Sequence, residues 1–188
     1  MKNHTIISLL LITLLSPLFP LMAQTETLVG GDGQWSVSGF GGPTMAISQI
    51  NGQNAIWVGG QGGAIFNKRF IMGGGSYQLV QDAQVLESEA HMSQSGFMLG
   101  YVFWPERKVH LTATVMAGGG AISQENGTND AFRFINPQLE LESNVTHYFR
   151  IGLGVGQQFI QGVESPLFPN DEALSRPYLA LNLRFGAF

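Results

Sequence analysis

Glu140, Glu142, Arg150 and Arg184 are the charges best placed to do chemistry. They interrupt the alternating apolar segments NPQLELESN, FRIGLGV and YLALNLRF. In an extended chain, side chains two apart share a face. All four charges therefore project away from the side that carries Leu139, Leu141, Ile151, Leu153, Leu181 and Leu183. Charges held away from water are costly unless they are paired and hydrogen-bonded. Two acids and two bases form a balanced set, which predicts an ion-pair network. With a turn about Thr146, Glu142 stands opposite Arg150, and Arg184 on the next strand reaches the same layer. Such a network fills space and acts as a plug; the functional alternative is a relay for protons or a small solute.

Other chemistry-bearing residues form weaker patterns. His91, His110 and His147 fall on different turns and strand ends, at spacings that match no zinc pattern. Ser88, Glu89, His91, Ser93 and Ser95 supply the residue types of a lipid hydrolase within one short segment. A triad there needs partners from other strands. The clusters GGQGGA and GGGSY lack the Lys-Ser/Thr pair of a phosphate loop, and no helical pattern follows them. No cofactor is called for, and the chain reads as non-enzymatic. The acidic residues Glu87, Glu89, Glu125, Asp130, Glu164, Asp171 and Glu172 crowd the expected loops and give a negative rim.

The elements that must position these residues are strands. Short polar turns centre on Lys68, Arg107 and His147, and each separates two alternating runs. From Lys68 to Arg107 is 39 residues and from Arg107 to His147 is 40. The expected strands are Gln34–Ile47, Ala55–Phe66, Phe70–Val80, Met92–Trp104, Val109–Ser123, Ala131–Val145, Phe149–Gln161 and Pro177–Phe185. Their lengths suit a tilted strand crossing a bilayer, which needs about 9–11 residues. The 25 glycines of the chain lie largely inside these runs, where a tightly curved sheet leaves little interior room. The fold class is all-β: an eight-stranded antiparallel up-and-down transmembrane β-barrel.

Alternation alone does not say which face is outside. The leucine face is assigned to lipid for three reasons. The opposite face is mostly Gly, Ala, Ser, Thr and Gln, which suits a narrow lumen. Short turns alternate with longer loops, as in membrane barrels. Aromatics crowd the strand ends at Phe66, Phe70, Phe103, Trp104, Tyr148, Phe149, Phe185 and Phe188, as a periplasmic girdle would. Leu179, Leu181, Leu183 and Phe185 are read as the outer-membrane assembly signal, with Phe188 ending a three-residue tail.

Residues 1–23 read as a cleaved signal peptide, with Lys2, an apolar Ile6–Leu15 stretch and Ala23 before Gln24. Residues 24–188 are then the barrel domain. Without Lys2 the nine basic residues become eight against thirteen acidic, a charge near −5. That opposes a nucleic-acid partner. The absence of cysteine removes disulfides and thiolate metal sites.

The stretches GGPTMAISQINGQNAIWVGGQGGAIFNKRFIMGGGSYQLV and NPQLELESNVTHYFRIGLGVGQQFIQGV resemble a family of small outer-membrane β-barrel proteins of Bacteroidota and related Gram-negative bacteria. The resemblance implies fold and location, and carries no catalytic residues with it. The expectation is a monomer in the cell outer membrane, inserted by the barrel-assembly machinery and surrounded by outer-membrane lipid. Its lumen is plugged and its role structural or one of surface interaction. The alternatives are a narrow solute or ion transport barrel, a membrane-embedded lipid-modifying enzyme, and a soluble periplasmic barrel that binds an apolar ligand.

Overall fold

The computed structural model describes residues 36–50, 53–80, 90–124, 129–164, 171 and 174–188. The expected signal peptide, the strand start at Gln34, and Glu87, Ser88, Glu89, Glu125 and Glu172 lie outside the described residues. The strands are β1 (Val37–Ile50), β2 (Gln53–Phe66), β3 (Phe70–Val80), β4 (Ala90–Phe103), β5 (Val109–Gln124), β6 (Asn129–Asn144), β7 (Phe149–Gln157), β8 (Phe159–Gln161) and β9 (Pro177–Gly186). β1 to β6 pair antiparallel in sequence order, β6 pairs also with β7 and β8, β7 pairs with β9, and β1 pairs with β9 to close the sheet. β7 and β8 are two pieces of one barrel strand that meet at Gln158, so the barrel has eight staves. The seventh stave, expected to be continuous, pairs with β9 only up to Gln157. The Gln158 N–H then bonds the Arg176 carbonyl at 2.9 Å, and beyond it β8 pairs with β6 alone.

The turns at one end are short. Between β2 and β3, Asn67 and Lys68 both take positive φ, at 49° and 59°, which lets the chain reverse in three residues. Trp104, expected as the last residue of its strand, has a φ of 53° and belongs to the turn instead. Between β6 and β7 the Phe149 carbonyl accepts the N–H of both Val145 and Thr146 at 3.0 Å. That lengthens the turn and moves the pairing: Asn144, not Glu142, faces Arg150, and Glu142 faces Gly152. The shift is by two residues, so no side chain changes face.

The leucine face points outward. Leu153 is 66% exposed and Leu139, Leu141 and Leu179 are exposed with it, while Glu140 and Glu142 are both 0% exposed. This is the reverse of a soluble barrel, which would have to bury the leucines. No described helix is long and apolar enough to cross a membrane; the strands provide the crossing. At the turn end Phe70 meets Tyr101, Tyr101 meets Phe103, and Phe149 stacks on Phe185. Phe188 departs from this girdle. Its ring turns inward and packs against the interior apolar cluster, while Gly186 and Ala187 continue the backbone bonding to Tyr148 and Gly39. The expected three-residue tail is therefore a fixed end.

The interior is layered. Toward the loop end it is more apolar than expected, with Ile50, Trp57, Leu79, Met92, Ile122, Phe132, Ile160 and Leu174 all buried. Leu174 comes from the connection between β8 and β9. That segment is tied down by the Asp171 carboxylate, which accepts the N–H of Gly162 and Val163. The middle layer surrounds a cavity of about 40 Å³ among Thr44, Gln61, Tyr77, Thr114, Asn136 and Tyr178, room for a water or two. The charges lie below it, toward the turns.

Candidate functional site: an ion cluster in the lumen

Arg184 of β9 is the hub of the charged layer. Its Nη2 donates to Glu140 Oε2 at 2.8 Å and its Nη1 to Glu142 Oε1 at 2.9 Å. Both acids are on β6, yet β9 is bonded to β7, which lies between. The guanidinium can cross because β7 presents glycine at that level. A Cβ at Gly152 would overlap the Glu140 carboxylate, and one at Gly154 would strike the Gln138 amide. The alternation FRIGLGVG therefore opens a window through which a neighbouring strand's long side chains meet.

Glu142 has further partners on β5. Thr112 Oγ1 donates to its Oε2 at 2.9 Å, and His110 Nε2 lies 2.9 Å from the same oxygen. Glu140 has the Gln138 amide at 3.2 Å besides Arg184. Arg150 is more loosely held than expected, with its Nη1 3.9 Å from Glu142 Oε2. That is an ion pair without a hydrogen bond. Arg150 stands directly across from Arg184, a like-charge pair on one face. Both guanidinium groups are screened: each faces Glu142, and each lies over a ring, Arg150 above Phe188 at 3.8 Å and Arg184 above Phe40 at 5.3 Å. Cations favour such ring faces.

All four residues singled out from the sequence thus meet in one buried layer. Sequence reasoning left out His110, Thr112 and Phe188. A signal existed for the first two: Leu111, Ala113 and Val115 mark the outward parity of β5, which puts positions 110 and 112 inside, opposite Glu142 and Glu140. Phe188 gave none, since its ring leaves strand parity. The other candidates do not converge. His91, Ser93 and Ser95 lie on the exposed face of β4, and His147 sits in a turn with its ring against Tyr148. No group of three or more metal-ligating side chains occurs among the described residues.

The layer can balance charge, exclude water and bind its own elements together. Each acid accepts a bond from another strand, while the Nε of Arg150, the Nε of Arg184 and Glu140 Oε1 are buried without a hydrogen-bond partner among the described residues.

No protein-family model matches the sequence, and no curated protein does. Among solved structures, the N-terminal β-barrel domain of Pseudomonas aeruginosa OprF matches with a TM-score of 0.58 at 12% identity, covering 81% of this chain and 99% of that one. Neisserial surface protein A matches with a TM-score of 0.54 at 12% identity, covering 82% and 98%. At such identity the likeness is one of architecture, and the architecture is that of the eight-stranded transmembrane β-barrels of the outer membrane.

Proposed function

We propose that this protein is a monomeric resident of the outer membrane whose lumen is plugged, and that its role is structural or one of surface interaction rather than catalysis. One observation carries the reading: Glu140, Glu142 and Arg184 are wholly buried and mutually bonded inside a barrel whose leucines face out. An eight-stranded barrel leaves an interior only wide enough for side chains or one small ligand. Here side chains occupy it at three levels: apolar groups, then glutamines and tyrosines, then the ion cluster. A path for solute would have to break the ion pairs. An enzyme on lipid finds less support, since His91, Ser93 and Ser95 are strung along one strand face without an acid from another described strand.

Leu179, Leu181, Leu183 and Phe185 remain the proposed assembly signal for the barrel-assembly machinery, with Phe188 serving the lumen instead of the lipid face. Membership of the Bacteroidota-type family rests on the sequence resemblance alone. Planar bilayers test the plug. Purified wild-type protein should insert without single-channel current steps; reproducible steps would overturn it. Fractionation with the outer membrane and a heat-dependent gel shift test the location.

A further inference from the structure

The outer wall carries a polar hollow that the lipid band does not explain. We propose that it binds the phosphorylated headgroup of an outer-leaflet glycolipid, with Arg133 on the phosphate. This rests on the outer-membrane reading. Ser76, Ser95, Gly119, Arg133 and Gln161 are successive cross-strand partners from β3 to β8. They form one outward row, about 19 Å wide at the usual spacing of neighbouring strands. A groove of about 900 Å³ runs along it, floored by Ser93, Ala121 and Ala131 on the row above. A second groove of about 280 Å³ adjoins it below and shares Arg133 and Gln161, with Ala117, Ile135 and Phe159 as its apolar wall.

Height decides the occupant. On the stave formed by β7 and β8, the outward residues are Phe149, Ile151, Leu153, Val155, Gln157 and Phe159, apolar except for Gln157, and they span ten positions. Tilted strands climb roughly 2.5 Å per residue along the barrel axis, so this band is about 25 Å tall, the height of a barrel's apolar belt. Phe159 pairs with Ile135, and Gln161 pairs with Arg133, one outward row higher. The guanidinium therefore stands about 5 Å above the belt, at the level of headgroups. It is exposed, and it forms none of the ion pairs found between described residues. A guanidinium at this depth matches a phosphate, which it can bond in bidentate fashion. The flanking serine hydroxyls and the Gln161 amide match sugar hydroxyls better than a compact headgroup. The apolar groove beneath them accepts the start of an acyl chain.

The test is native mass spectrometry of the folded full-length barrel released from detergent micelles, offered diphosphorylated lipid A, its phosphate-free form, or phosphatidylglycerol. The wild type should retain one lipid A and lose at least tenfold in retention when the phosphates are absent. Arg133→Gln should reduce retention of lipid A at least tenfold, Ser95→Leu should reduce it by filling the groove, and Arg107→Gln at the opposite end should not. Equal retention by Arg133→Gln and wild type, or equally tight binding of phosphatidylglycerol, would overturn the proposal. Each variant is first required to keep its heat-dependent gel shift. A wild type that shows no such shift would sink the membrane reading itself.

Discussion

Arg184→Met is the sharpest perturbation of the lumen, because the structure says how its cost divides. The substitution keeps most of the side-chain volume and removes two charge-assisted bonds, at 2.8 Å to Glu140 and 2.9 Å to Glu142. Removing one partner of a buried ion pair costs about 3–5 kcal/mol, chiefly through the charge left behind. The two acids are left unequally. Glu142 retains Thr112, His110 and the more distant Arg150. Glu140 retains neutral amides alone, that of Gln138 at 3.2 Å and that of Asn182 beside it. Most of the penalty therefore belongs to Glu140. Neutralising it in Arg184→Met/Glu140→Gln should restore about 0.5–3 kcal/mol, the usual coupling of residues in direct contact. Arg184→Met/Glu142→Gln should restore less, since it leaves Glu140 charged and removes an acid that still has partners. The assay is reversible urea unfolding in lipid vesicles, read by the heat-dependent gel shift and by tryptophan fluorescence. The slope with denaturant should stay constant so that the midpoints report stability. A single variant within about 0.5 kcal/mol of wild type, the range of an ordinary surface change, would refute a load on this contact. Equal rescue by the two double variants would refute its division.

Two further substitutions separate interior from exterior. Gly152→Ala places a methyl group where the Glu140 carboxylate lies and should cost about 1–3 kcal/mol in the same unfolding assay, as overpacking does; an unchanged midpoint would mean that the β7 window is not needed. Leu153→Arg on the lipid face, 66% exposed, should cost about 2–4 kcal/mol if it lies near the bilayer midplane, whereas on a water-washed surface it would be almost neutral.

Much of this was legible because a strand has only two faces. Leu139, Leu141 and Leu153 declare the outside, and Glu140, Glu142, Arg150 and Arg184 follow by parity. Lumen and lipid faces were separated without knowing any pairing. Register was less legible, because it depends on turn length. The sequence NVTHYF permits a turn about Thr146, but the Phe149 carbonyl takes two N–H groups and moves the pairing so that Asn144 faces Arg150. The interruption at Gln158 was hidden for a similar reason: it depends on where β9 begins, and alternation continues through it unbroken. Phe188 was misread because parity no longer holds where a chain leaves the ladder. The aromatic that looked like a girdle residue is the ring beneath Arg150. The apolar packing toward the loop end was hidden too, since Leu174 reaches it from a connection rather than a strand.

The pairing of Asn144 with Arg150 also explains why the ion cluster sits where it does. Had Glu142 faced Arg150, the pair would have joined adjacent strands whose backbones are already hydrogen-bonded, adding little to their alignment. Instead, Arg184 of β9 grips two acids of β6 across β7, while His110 and Thr112 extend the same contact to β5. Four staves are thereby held in one relative position by side chains that cannot be satisfied in any other. A one-residue slip of β9 would turn Arg184 outward into hydrocarbon and bring Leu183 or Phe185 into the charged layer, leaving Glu140 without its cation and Glu142 with Arg150 alone at 3.9 Å. Each of those consequences costs kilocalories, whereas backbone pairing alone is nearly indifferent to register. The glycines of β7 make this long-range contact sterically available, so the inward glycines and the inward charges are two halves of one device for fixing how the barrel closes.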